Sequence, residues 1–167
     1  MSMTNDTEKM VGVIAAIHAA SWKVAYRGLY ADRYLDHEVD AERRRHWQRR
    51  VPELLAGDGE IFLAQAGRQA AGFLCIELGP DREWGAYVDN LHVLPAWRGA
   101  NLGSALLAHG AAWARARAQT QLWLWVFERN HAARHFYRRE GWHAVERRID
   151  DVPGGGRRYI LRMVKSI

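Results

Sequence analysis

The sequence has almost no cysteine: Cys75 is the only one. A single cysteine cannot close an internal disulfide, and it rules out a cysteine-based metal cluster. Its setting, Ala71–Gly72–Phe73–Leu74–Cys75–Ile76, reads as a buried strand in which the thiol serves as a small hydrophobe. Long apolar runs are also missing. Arg or His interrupts each of the longest, so no stretch of about 18 apolar residues offers a membrane span. Residues Met1–Lys9 lack the basic start and apolar core of a signal peptide. A cytoplasmic protein that does not enter a membrane is therefore expected. Few of the basic residues are lysine, and arginine carries most of the +5 net charge. That charge suits nucleic acid or a phosphate-bearing small molecule. The arginines are scattered and no nucleic-acid-binding motif appears, which argues against nucleic acid. The densest group, Arg43–Arg44–Arg45 with Arg49–Arg50, reads as the solvated face of a helix.

A length of 167 residues suits one domain spanning 1–167. Apolar positions at helical spacing (Val11, Ile14, Ala15, Ile17, His18, Trp22, Tyr26) predict a helix over about 6–27, capped by Asp6 or Thr7 and ended by Gly28. A short helix over 31–36 follows, then one over 41–56 capped by Asp40. The pattern next turns to strands. Residues 61–66 and 70–78 form a hairpin around Gly67–Gln69, broken at Gly79–Pro80–Asp81, and 87–93 form a third strand. The clearest helix covers 102–118, with Leu102, Ala105, Leu106, His109, Ala112, Trp113 and Ala116 as its apolar stripe. Residues 122–127 read as a central strand, with Trp123 and Trp125 on one face. A helix over 131–140 and strands over 142–149 and 158–164, around a turn at 152–156, complete a mixed α/β order.

Two segments carry chemistry. Arg98–Gly99–Ala100–Asn101–Leu102–Gly103–Ser104 joins a strand to the strongest helix. A helix start offers unpaired N–H groups and partial positive charge, small residues allow close approach, and Arg98 adds a full charge. The spacing fits neither a Walker A loop nor a dinucleotide fingerprint. On residue chemistry the segment is an anion site or a plain strand-to-helix turn. In the second segment, Asn130 and Tyr137 lie two helical turns apart and share a face. Tyr137 there can pack, cap or donate a proton, and Phe136 reads as core. His131 and His135 are spaced to share a metal, but no third ligand is evident, so no metal is expected.

Together the two segments resemble the GNAT superfamily of acetyl-CoA-dependent N-acetyltransferases. The first is similar to its motif Q/R-x-x-G-x-G/A with the preceding strand, here Leu91, Val93, Pro95, Arg98 and Gly99. The second is similar to L-x-V-x-x-x-N-x-x-A-x-x-F-Y-x-x-x-G-F, here Leu124, Val126, Asn130, Ala133, Phe136, Tyr137 and Gly141, with Trp142 in the last place. The likeness runs over about residues 60–145. Ile17, His18, Ser21, Trp22, Ala25, Tyr26, Arg27 and Gly28 also resemble one family branch in which this segment covers the acceptor site. Two departures stand out. Asn101 occupies the first glycine position of the first motif, and little chain precedes the first helix to supply the family's first strand.

The resemblance implies an α/β (α+β) fold: a mixed, mostly antiparallel sheet, splayed at its middle and flanked by helices. It implies acetyl-CoA as co-substrate, held by Leu91, His92 and Val93 at a bulge over Asn90–Leu91–His92, by Arg98–Ser104, and by Asn130 and Arg134. The N–H of Leu91 or Val93 would polarise the thioester. Tyr137 would protonate the leaving thiolate. An amine acceptor is mostly protonated at neutral pH, so a base is needed, and Glu77, Asp89, His92 and Glu83 are candidates. Trp22, Tyr26, Tyr87, Trp123 and Trp125 suit an apolar or cationic acceptor. The expected acceptor is a small-molecule amine. A peptide or protein acceptor, a non-catalytic acetyl-CoA-binding module and a homodimer stay open.

Overall fold

The computed structural model describes residues 3–79, 81–152 and 156–167. The expected turn at Pro153–Gly155 and the break at Pro80 fall outside these. The elements are α1 (Met3–Ala25), α2 (Asp32–His37), α3 (Val39–Ala56), β1 (Gly59–Ala66), β2 (Gln69–Glu77), β3 (Ala86–Val93), α4 (Leu102–Arg115), β4 (Gln121–Phe127), α5 (His131–Arg139), β5 (His143–Val152) and β6 (Gly156–Ser166). One six-stranded sheet has the order β1-β2-β3-β4-β6-β5, with every pairing antiparallel except β3 with β4. This is the mixed, mostly antiparallel sheet the sequence implies. Among the described residues no strand precedes α1, and no helix is long and apolar enough to cross a membrane.

The α1 stripe is as predicted: Val11, Ile14, Ala15 and Ile17 pack with Trp47, Val51 and Leu54 of α3 on Phe73 and Cys75 of β2. The helix begins earlier than expected, at Met3, so Asp6 lies within its first turn and neither Asp6 nor Thr7 is its cap. α3 likewise starts at Val39, with Asp40 inside its first turn and paired with Lys23 instead of capping. The α4 stripe needs correction. Ala105, His109, Ala112 and Ala116 are exposed, and the face on the sheet is Leu106, Leu107, Gly110, Ala111, Trp113 and Ala114. Alanines on every side of this helix blur its periodicity, and close packing decides the face. A Cβ on Gly110 would lie 3.0 Å from a Leu74 methyl.

The parallel pair β3–β4 sets the architecture. Its register covers Ala86↔Leu122 and Tyr87↔Trp123 and goes no further. The vertex is pinned by Gln121 Nε2 donating to Trp84 O (3.1 Å) and Trp123 Nε1 donating to Gly85 O (3.2 Å). Gly85 is indispensable there. Its φ is +86°, and an added Cβ would sit 2.1 Å from the Gln121 carbonyl oxygen. Beyond the vertex the strands part. Gly85→Ala must therefore strain the backbone and push β3 from β4. It should cost about 3 kcal/mol or more, read as a lowered urea midpoint in equilibrium unfolding.

Candidate active site

The parting strands open a cleft of about 910 Å³. Its floor is the free edges of β3 and β4. One end is the start of α4, and α1, α3 and the β5–β6 end wall the other. On β3 a bulge interrupts the ladder: Cys75 pairs with Asn90 and Ile76 with Val88, so Asp89 has no partner on β2. The bulge was expected at Asn90–Leu91–His92 and is found one residue earlier. It needs a residue with no opposite number, and the alternation of apolar side chains places that residue only to within one position.

At the α4 end, Gly99 has φ +85° and Asn101 has φ 58° and ψ 10°. Asparagine enters the left-handed region more readily than most residues, so Asn101 keeps the backbone shape that a glycine would give. Its side chain does not cap α4. The N–H groups of the first turn, Leu102, Gly103 and Ser104, thus have no intrahelical acceptor and face the cleft end with the helix's positive pole. Ser104 Oγ donates to Glu140 Oε1 at 2.7 Å. Arg98 lines the cleft but leans toward α1, with Nη2 at 3.5 Å from Ser21 Oγ.

Of the residues singled out from sequence, Leu91, His92, Val93, Arg98, Gly99, Asn101, Leu102, Gly103, Ser104, Asn130, Tyr137, Trp22, Tyr26, Tyr87, Asp89 and Trp125 all line this cleft. Ala100, Arg134, Glu77 and Trp123 do not; Trp123 is buried at the vertex. The Ala100 N–H is spent on Trp97 O, and Arg134 Nη1 donates to Glu128 O at 2.6 Å. Glu77 is tied to Arg50, and Glu83 is exposed in a short 3-10 turn. Asn130 has a structural duty too: its Oδ1 accepts from Ala133 N at 3.1 Å and caps α5. Tyr137 is buried, packed against Phe136 and Trp142, and burial pushes its phenol upward.

Two arginines of the supposed solvated face turn inward, while Arg44, Arg45 and Arg49 are exposed. The Arg43 side chain is 11% exposed and lies over the Trp22 ring at 4.3 Å. Arg50, 23% exposed, bridges Glu77 and Asp89, with Nε 3.7 Å from Asp89. Burial raises the Asp89 carboxyl and outweighs Arg50. Tyr30, Arg43, His46, Arg148, Asp150 and Asp151 also line the cleft, and sequence reasoning passed over them as lining residues. Tyr30 follows a turn and has no periodic neighbours to mark it. Among the described residues no three His, Cys, Asp or Glu side chains are placed to hold a metal ion together, and His131 and His135 are exposed.

Three histidines gather behind the cleft. Trp47 Nε1 donates to His18 Nδ1 at 2.9 Å, which leaves the proton of neutral His18 on Nε2. His18 stacks on His92 at 4.3 Å, and His92 Nδ1 lies 3.1 Å from Ser21 Oγ. Burial, then Arg43 and Arg98, lower His92 to about 3. Burial, then mainly Arg43, lowers His46 to about 4, and burial first, then His92 and Arg43, holds His18 well down.

A family model for the acetyltransferase (GNAT) family matches residues 8–142. The chain therefore belongs to the GNAT family of acetyltransferases. No curated protein sequence matches at a significant level. Among solved structures, the PaiA N-acetyltransferase of Thermoplasma acidophilum, in complex with coenzyme A, is similar at 18% identity and TM-score 0.71 over 96% of this chain and 94% of that one. Nourseothricin acetyltransferase is 27% identical over 65% of each chain, with TM-score 0.58. The ribosomal-protein-S18-alanine N-acetyltransferase of Escherichia coli is 27% identical over 66% of this chain and 70% of that one, with TM-score 0.56.

The histidine trio predicts an acid-side weakness. Each folded-state value lies below the ordinary 6.5, so the unfolded chain binds more protons at mildly acid pH. Stability is then full above about pH 6.5 and falls as pH drops toward the folded values. The urea midpoint should decline from pH 7 to pH 5, and the decline should be shallower in His92→Gln.

Proposed function

We propose that this acetyltransferase moves the acetyl group of acetyl-CoA to the primary amine of a small molecule, by direct attack with both substrates bound. The observation that carries this is one cleft with three features: the free edges of β3 and β4, the uncapped start of α4 at one end, and the Tyr137 side chain in its wall. The edges suit an extended pantetheine arm, which pairs as an added strand does. The start of α4 suits a pyrophosphate. The coenzyme A in the Thermoplasma acidophilum relative supports the same donor here.

Asp89 is the candidate base that the geometry favours. It lies in the cleft at the bulge, and its raised pKa makes it a better proton acceptor than an ordinary carboxylate. His92 is too weakly basic, and Glu77 is outside the cleft and committed to Arg50. In the reaction Asp89 takes the proton of the acceptor ammonium, and the amine nitrogen forms the new bond to the thioester carbon. A backbone N–H of Leu91 or Val93 donates to the carbonyl oxygen as charge grows there. When the C–S bond breaks, Tyr137 gives its proton to the thiolate, and the second proton that the new amide nitrogen sheds restores the phenol. Its raised pKa keeps that proton in place at neutral pH.

A peptide acceptor is the competing reading, and the Escherichia coli relative acting on a ribosomal protein favours it to the same degree of identity as the nourseothricin enzyme favours a small molecule. A panel of amines and peptides with thiol detection separates the two. The base proposal is independent of that choice.

Titration calorimetry should show acetyl-CoA binding, and no heat at millimolar acetyl-CoA would overturn the proposal. Tyr137→Phe should lower kcat by about a hundredfold or more with the acetyl-CoA Kd unchanged; equal turnover removes Tyr137 from the acid role. Asn101→Gly should leave that Kd unchanged or tighten it, since the backbone is already left-handed.

A further inference from the structure

The aromatic wall at the acceptor end invites a cationic acceptor, but its two tryptophan rings are already occupied. Arg43 covers Trp22 at 4.3 Å. Arg148 lies over Trp125 at 4.1 Å, and Arg162 approaches the same ring at 4.9 Å. A ring that has stacked its own guanidinium has little left to offer an incoming cation. Arg43 and Arg148 themselves line the cleft.

We infer that the acceptor amine also carries a carboxylate, and that Arg43 binds it. This rests on the acetyl transfer proposed above and names the acceptor of that same cleft. Arg43 is held for the task from both sides. Glu42 clamps the Nε and Nη2 edge, with Nη2 to Oε1 at 2.6 Å, and Trp22 fixes the plane. Glu42 is not part of the cleft wall, and it also accepts from Tyr34 at 3.2 Å. The Nη1 edge of Arg43 makes no bond to Glu42. Its two N–H groups suit a carboxylate, and pre-orientation limits the entropy lost on binding. Burial and Arg43 keep His46 and His92 uncharged, and burial keeps Tyr26 and Tyr30 protonated. The carboxylates in the same wall have partners of their own: Asp150 pairs with Arg148 at 3.6 Å and Asp151 with Arg157 at 4.0 Å. This end of the cleft therefore presents hydroxyl donors and the Arg43 guanidinium, paired on its other edge with Glu42. The acid that would take the ammonium, Asp89, lies on β3. An acceptor bearing both groups satisfies both; a polyamine would leave Arg43 facing a like charge.

The test compares the common amino acids with their carboxamides, which keep the amine and lose the charge. Binding to the protein loaded with coenzyme A is read by tryptophan fluorescence, and turnover by thiol release. The wild-type protein should favour the best acid over its amide by about tenfold or more in Kd and kcat/KM. In Arg43→Gln that ratio should collapse toward one, with Arg43→Lys between. Acetyl-CoA binding by calorimetry serves as the control for folding. If Arg43→Gln fails that control while the wild type passes, the wild-type ratio alone decides. A preference for amides, a ratio unchanged in Arg43→Gln, or no binding of any carboxylated amine to the loaded protein overturns the inference. Loss of acetyl-CoA binding by the wild type overturns the broader proposal instead.

Discussion

The separation of β3 from β4 after two residue pairs is the constraint on which the rest depends. A parallel pair that continued would bury its own edges and leave no cleft. Here the pairing is strong at one point and lost beyond it. Gly85 lets the backbones touch, and the Trp123 and Gln121 side chains bind the carbonyls of Gly85 and Trp84. From that vertex each strand keeps its outer neighbour: β3 pairs on to β2 as far as Val93, and β4 pairs with β6 along its full length. The two halves of the sheet are thus each complete, and the gap between them is part of the fold. The bulge at Asp89 adds a local consequence. One extra residue brings Asp89 next to Cys75 on the α1–α3 side without disturbing Leu91 and Val93, which pack toward α4.

Charge in the cleft is arranged by sharing. Arg50 serves three carboxylates, Glu53, Glu77 and Asp89, and the close partner is Glu77. Asp89 is left with a longer contact, so desolvation decides its protonation and makes it basic. Arg43 has the complementary effect on α1 and α3. Together with burial, its charge holds a histidine on each helix neutral. The stacked His18–His92 pair can then be packed as apolar rings, tied at their edges by Trp47 and Ser21.

How much of this was readable from sequence depended on how distinctive each residue was. The α1 stripe mixes large apolar residues with polar ones, and it was read correctly. The α4 stripe holds three alanines, which are indifferent to burial, and four of its seven assigned positions lie on the solvent side. Among the arginines of α3, residue type gave no means of telling Arg43 and Arg50 from Arg44, Arg45 and Arg49. What distinguishes them is Trp22, Glu77 and Asp89, which lie far away in sequence and come near only in the fold. Tyr137 and Asn130 were legible because helical spacing puts them on one face, whatever the rest of the chain does. The cap that Asn130 makes and the carbonyl that Arg134 satisfies are equally local, but many residue types can serve either duty.

The two motifs that carried the family resemblance turn out to be packed against each other. Gly103 seemed to be small for the sake of an anion. Its missing Cβ also makes room for Phe136, whose ring would lie 3.1 Å from that atom. Ser104 reaches Glu140 at the end of α5, so the first turn of α4 is joined to α5 by packing and by a hydrogen bond. That union fixes the distance between the uncapped N–H groups of α4 and the Tyr137 side chain. One substrate spanning both must match this distance, since neither helix can shift without disturbing the other. The spacing of Gly103, Ser104, Phe136 and Glu140 along the chain is therefore a record of one contact. The contact aligns the start of α4 with the wall that holds Tyr137.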